Sequence, residues 1–189
     1  MALITLTTRT ASRVWINLAT RASPVIGGPW LPIMATRLSK PDPAPGLYVS
    51  TTSTEDASLN VRDPRRYVGA ESINFFVFPG KLGLGAKLGD FGVVIRPEKS
   101  DYNYAVSADV GPANKIGETS IALAAALGIQ SSPKNGGTTY GIVYVVFPGS
   151  QQGWPRSQAE SDQYGSTLFA KWGGLSTARE CFPDLPWSA

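Results

Sequence analysis

Five short runs of β-branched and aromatic residues dominate the chain after residue 45. Runs of four to eight such residues, bounded by Gly, Pro and Asp, predict β-strands. Residues 97–100 are few enough to join the third and fourth runs as an antiparallel hairpin. The predicted strands span residues 47–50, 73–78, 91–96, 102–109 and 140–147. We therefore expect at least five strands.

Two helices are predicted among and after these strands. The first follows the capping residues Thr119 and Ser120 and ends at Gly128, which suits the left-handed position after a helix. The second begins at a capping box of residues 157–160 and ends at two consecutive glycines. We predict a mainly β, α+β fold: a small β-barrel, closed or partly open and with the double-psi barrel as a candidate topology, and two packed helices.

The length of 189 residues corresponds to one hydrophobic core. Six prolines interrupt residues 1–45, which show no clean hydrophobic period, so we expect an irregular N-terminal wrapping segment there. Residues 46–189 are expected to form a single domain. No run of 18 apolar residues occurs and no standard signal peptide is visible, so we expect no membrane-spanning helix and no membrane partner.

Histidine is absent from the chain and cysteine occurs once, at Cys181. Catalysis by a histidine base, a Ser-His-Asp triad or a Cys-His pair is therefore excluded, as are most zinc sites. The 14 Asp and Glu residues are the favoured groups for acid-base chemistry. We expect no metal and no cofactor.

The net charge of +3 is carried by Lys and Arg residues that are spread along the sequence. Proteins that bind nucleic acid usually carry basic residues clustered among aromatic residues, or a basic recognition helix. Neither pattern stands out in this sequence. We therefore expect no nucleic-acid partner, and we expect a monomer.

The strand-to-helix connection between Asp109 and Glu118 carries the strongest chemical signal. Strict alternation along the preceding strand would place Asp109 on one face with Ala105 and Ser107, whose small side chains leave room for a ligand. Two carboxylates that face one groove can hydrolyse a glycosidic bond, one as acid and the other as base or nucleophile. The alternative is structural, with Glu118 as a charge at a helix N-terminus and Asp109 as a turn residue.

The motifs around these two acids resemble those of chitosanases of glycoside hydrolase family 75. The resemblance covers most of residues 43–175, and its main stretches are residues 88–90, 106–112, 116–124 and 144–150. It implies an enzyme that cleaves the β-1,4 linkages of chitosan, a glucosamine polymer, within the chain and with inversion. It also implies that Asp109 and Glu118 are the essential pair, that residues 46–189 are the catalytic domain, and that the enzyme is secreted or extracellular.

Further residues are candidates for binding the polysaccharide substrate. Asn114 and Lys115 lie in the connection between the two acids. Trp154 lies in a Gly/Pro-rich segment, where its ring could stack on a sugar. Asp90 and Asp101 would make a groove locally acidic, which a cationic polymer requires.

The substrate and the two catalytic roles stay open at this point. Residues 1–25 lack the acidic Asp-x-Asp-Gly strand of the family, Gly69 stands where the family pattern has an Asp, and a charge of +3 suits an anionic glycan better than chitosan. Alternatives are hydrolysis of peptidoglycan or another amino-sugar cell-wall glycan, and a non-catalytic carbohydrate-binding module. A helix N-terminus would favour Glu118 as the base, whereas burial would favour it as the acid.

Overall fold

The computed structural model describes residues 4–7, 13–18, 36–41, 43–79, 86–112, 117–133, 136–137, 141–153 and 157–188. The strands in these ranges are β1 (Ile4–Thr7), β2 (Arg13–Leu18), β3 (Thr36–Arg37), β4 (Tyr48–Val49), β5 (Phe75–Pro79), β6 (Phe91–Arg96), β7 (Asp101–Gly111) and β8 (Val143–Val146). The α-helices are α1 (Ile121–Ala126), α2 (Gln158–Trp172) and α3 (Gly174–Cys181).

Six of these strands form one sheet in the order β1-β2-β8-β6-β7-β5, and β3 pairs with β4 in a second, small sheet. The predicted hairpin is confirmed, since β6 runs antiparallel to β7 and the 3₁₀ turn Pro97–Lys99 joins them. On its other side β7 pairs in parallel with β5.

The four strands β8-β6-β7-β5 curl into a half-barrel, which confirms the α+β class and, of the two expected forms of the barrel, excludes the closed one. In the described ranges the sheet is open, because no other strand of the sheet pairs with the outer edge of β5. Residues 118–120 cover that edge instead: the N–H of Val77 donates to the carbonyl of Glu118 at 3.0 Å, and the N–H of Ser120 donates to the carbonyl of Phe75 at 2.9 Å. The double-psi topology remains a prediction.

The segment 1–45, for which the sequence predicts irregular structure, contributes β1 and β2 to the large sheet. Apolar residues do alternate at Val14, Ile16 and Leu18, which is the period of a strand. This alternation is short, and the six prolines in the rest of the segment favour an irregular structure over the segment as a whole. The division of the chain at residue 45 remains a prediction.

Both faces of the sheet are covered, which accounts for the nearly continuous apolar runs of β6 and β8. The cluster that includes α1 contains Phe76, Val94, Leu123, Leu127 and Tyr144. The cluster that includes α2 and α3 contains Val93, Ile95, Val143, Val145, Phe169, Ala178 and Phe182. The strands that carry the candidate site are therefore anchored from two sides.

The two predicted helices are present, and a third follows them. Ser120 and Ser157 cap α1 and α2 through their hydroxyl oxygens, and α2 ends at Gly173 in the left-handed conformation. The sequence did not predict α3, because two glycines ended the helical pattern. The chain resumes a helix there, since Ala178 and Phe182 become buried against the sheet. None of the helices in the described ranges has the length and apolarity to span a membrane.

Candidate active site

A shift of register in β7 determines where Asp109 lies. Phe76 of β5 pairs with Ser107, but the next residue of β5, Val77, pairs with Asp109, so that Ala108 is an extra residue in β7. Such a bulge re-aims the side chains that follow it. The strict alternation that the sequence predicts for this strand is therefore interrupted directly before Asp109.

Glu118 reaches the same end of β7 from the outer edge of β5. Its carboxylate oxygen Oε2 lies 3.1 Å from the position that a β-carbon would occupy at Gly111. Gly111 lies two residues beyond Asp109, and positions two apart in a strand share a face. Both acidic side chains are partly exposed. The structure thus brings the two carboxyl groups to one accessible end of the strand.

Asp109 is held by Ser53, which the sequence analysis did not single out. The backbone N–H and the hydroxyl of Ser53 both donate to Oδ1 of Asp109, at 2.9 and 2.5 Å. The next residue, Thr54, donates its N–H to the carbonyl of Ala108 at 2.8 Å. Because Ser53 lies 56 residues before Asp109, no spacing motif could have predicted the pair.

Ser53 belongs to a loop, residues 52–68, whose two ends are tied together. The hydroxyl of Thr52 accepts a hydrogen bond from the N–H of Val68 at 3.1 Å. Arg66 donates from Nε and Nη2 to the two carboxylate oxygens of Glu55. These hydrogen bonds are the main cause that lowers the pKa of Glu55 below its usual 4.5. We call this segment the 52–68 loop.

The other candidate binding residues do not meet at this end of β7. Asp90 is fully buried, and its two oxygens accept from the N–H groups of Lys87 at 2.6 Å and of Gln151 at 3.1 Å. A side chain so enclosed cannot contact a polymer, so the structure gives Asp90 the role of joining two loops. Asp101 begins β7, about 26 Å along the strand from Asp109. Asn114, Lys115 and Trp154 lie outside the described residues.

In the part of the chain that the structure describes, no three His, Cys, Asp or Glu side chains lie close enough together to hold a metal ion. The site offers two partly exposed carboxyl groups at one end of β7, one on the strand and one on the segment that covers the edge of β5. Such a pair can give a proton to one side of a bound linkage and take a proton on the other.

A comparison with known families gives this chemistry a context. The sequence profile of the fungal chitosanases of glycosyl hydrolase group 75 matches residues 66–172, which is more than half of the chain. The match includes Asp109 and Glu118, whereas Ser53 lies outside it. No curated protein matches the chain. The chain therefore belongs to the fungal chitosanase family, group 75 of the glycosyl hydrolases, and is a glycoside hydrolase of the chitosanase type.

Proposed function

We propose that the protein hydrolyses β-1,4 linkages within chitosan chains, with inversion at the anomeric carbon, and that Asp109 and Glu118 are the catalytic pair. The observation that carries this proposal is the convergence of two partly exposed carboxyl groups at the Gly111 end of β7. Family membership supports an enzyme rather than a binding module that lacks turnover.

The resemblance of the motifs around Asp109 and Glu118 to family 75 supports inversion, and inversion requires a particular distance between the two carboxyl groups. The Glu118 carboxyl group lies beside Gly111, two positions beyond Asp109 in β7. Inverting glycosidases keep their carboxyl groups about 6.5–9.5 Å apart to leave room for a water molecule, whereas retaining enzymes need about 5–5.5 Å.

Hydrogen bonding supports Asp109 as the base. The described donors to its carboxylate both bind Oδ1, so Oδ2 is the oxygen that can accept a proton from water. Glu118 is then the acid. The helix-dipole argument for the reverse assignment does not apply, because α1 begins at Ile121 and has no acidic residue in its first turn.

The proposed reaction proceeds in one step. Asp109 takes a proton from a water molecule while the water oxygen bonds to the anomeric carbon. The bond from that carbon to the bridging oxygen breaks, and Glu118 protonates the oxygen as it leaves. Exchange with solvent then returns a proton to Glu118 and removes one from Asp109.

Two measurements test this function. The release of reducing ends from chitosan and from purified peptidoglycan identifies the substrate, and we expect release from chitosan. Proton NMR at early times identifies the first anomer formed from a glucosamine oligomer, and inversion of a β-linkage produces the α-anomer. Early formation of the β-anomer would contradict inversion, and cleavage of peptidoglycan alone would identify a cell-wall glycan as the substrate.

We extend the proposal to action outside the cell. A polysaccharide does not cross a membrane unaided, so an enzyme that cleaves it within the chain must meet it outside. Measuring chitosan cleavage by the full-length protein in the culture medium of the producing cells tests the extracellular location. Activity confined to the cell contents would contradict it.

A further inference from the structure

We propose that Ser53 is a positioning residue for Asp109, which selects the carboxylate oxygen that faces the reaction. The inference rests on the proposed function, because it needs Asp109 to be catalytic. Ser53 donates twice to Oδ1, from its backbone N–H at 2.9 Å and from its hydroxyl at 2.5 Å.

Two donors on one oxygen restrict the carboxyl group more than a single hydrogen bond does. A partly exposed aspartate rotates about two side-chain bonds, and its two oxygens exchange places when the group turns over. The donors on Ser53 hold Oδ1 in one place, which directs Oδ2 away from the loop. A misplacement of about 1 Å at a reacting group can reduce a rate by up to about 10²-fold.

Ser53 can hold Asp109 because its own backbone is anchored on both sides. Thr52 is 2% exposed, and its hydroxyl accepts from the N–H of Val68 and donates to the carbonyl of Thr54. Thr54 donates its N–H to the carbonyl of Ala108, the residue before Asp109. Three hydrogen bonds therefore join residues 53 and 54 to residues 108 and 109.

The 52–68 loop contains a matched control for this arrangement. Ser58 donates to Oδ1 of Asp56 from its N–H at 3.0 Å and from its hydroxyl at 2.6 Å. The donor groups and the acceptor oxygen are of the same types as in the Ser53–Asp109 pair. Asp56, however, lies only two positions from Ser58 in the chain. A substitution at Ser58 therefore removes the same kind of hydrogen bond from the same loop without touching Asp109.

The experiment compares four single variants of the full chain: Ser53→Ala, Ser53→Thr, Ser58→Ala and Asp109→Asn. We measure kcat and KM on a glucosamine oligomer and the Tm of each variant. Ser53→Ala keeps the backbone donor and loses the hydroxyl, so kcat should decrease about tenfold with KM nearly unchanged. Ser53→Thr keeps a hydroxyl and should restore most of kcat, and Ser58→Ala should match the wild type.

The possible outcomes separate this inference from the proposed function. A wild-type kcat in Ser53→Ala, with activity lost in Asp109→Asn, overturns the role of Ser53 alone. Full activity in Asp109→Asn overturns the proposed function and the role of Ser53 with it. Equal losses in Ser53→Ala and Ser58→Ala, or a change in KM alone, overturn the positioning role and assign the hydroxyl to loop structure or substrate binding.

Discussion

Asp90 and Asp109 each accept two hydrogen bonds from donors among the described residues, yet the surroundings of the two side chains differ. The donors to Asp90 are divided between its two oxygens, and the side chain is fully buried between the loops that contain Lys87 and Gln151. The described donors to Asp109 both belong to Ser53 and both bind one oxygen, at an accessible end of the sheet.

The number of hydrogen bonds therefore does not distinguish Asp90, which joins two loops, from Asp109, which we propose to be catalytic. A carboxylate whose two oxygens are both engaged and buried holds two chain segments together, and losing it leaves donors without acceptors. A carboxylate held by one oxygen keeps the other available for proton transfer. The Asp-to-Asn substitution, made at each position, separates the two cases.

The largest effect is expected at the two catalytic candidates. Asp109→Asn and Glu118→Gln remove groups that exchange protons, so each should lower kcat by about 10²-fold or more. Circular dichroism and Tm should stay close to those of the wild type, because both side chains are partly exposed. A variant with nearly normal turnover would remove its residue from the catalytic pair.

Asp90→Asn should have the opposite profile. An amide group replaces an acceptor with a donor that faces a backbone N–H, which should lower the free energy of unfolding by about 2–4 kcal/mol. Urea denaturation measures this loss. The turnover per folded molecule should stay within about twofold of the wild type, and a selective loss of kcat in a fully folded variant would contradict the structural role.

A smaller effect is expected from a methyl group placed beside Glu118. In Gly111→Ala, the new β-carbon would lie 3.1 Å from Oε2 of Glu118 and 3.1 Å from a methyl group of Val77. The carboxyl group must shift, so kcat should decrease about tenfold. We take Gly92→Ala as the comparison, because its β-carbon would lie 2.7 Å from the carbonyl oxygen of Val145, inside the sheet.

Gly92→Ala should lower Tm more than kcat per folded molecule, whereas Gly111→Ala should lower kcat more than Tm. Thermal melting and initial rates, measured on the same preparations, distinguish the two. A wild-type kcat in Gly111→Ala would show that turnover does not depend on the position of the Glu118 carboxyl group at the end of β7.

The smallest effect is expected at the ion pair that ties the 52–68 loop. The pKa of Glu55 in the folded protein is lowered, mainly by its hydrogen bonds from Arg66. Its contribution to stability is therefore complete above the usual pKa of 4.5 and is lost as the pH falls through the lower folded-state value. Glu55→Gln should decrease Tm slightly at neutral pH, and the difference from the wild type should narrow below pH 4.5. A difference that widens in acid would contradict this role.

Much of the local structure could be predicted, because its causes lie within a few residues. Ser157 accepts from the N–H of Glu160 three residues later, and Gly173 ends the same helix with a positive φ. The hairpin across residues 97–100 likewise depends on a short connection. The sequence could also place the two catalytic candidates near each other for the same reason, since nine positions separate Asp109 from Glu118.

The tertiary contacts could not be predicted in this way. The pairing of β5 with β7 introduces the register shift beside Asp109, and it depends on strands that are not adjacent in the sequence. One of the two donors to the buried Asp90 is the N–H of Gln151, which lies 61 residues further along the chain. From the sequence alone, both Asp90 and Asp109 were candidates for the site, because the burial of the two side chains could not be predicted.

The sequence by itself determined which residue types are available for chemistry, the approximate places of five described strands and two described α-helices, and which two acids share a connection. These properties follow from composition, from periodicity and from hydrogen bonds between near neighbours. Only the tertiary structure decided which acid is accessible, which oxygen of Asp109 is occupied, and that Ser53 is its partner. Those features depend on packing between distant segments, and a linear pattern does not encode which of them will meet.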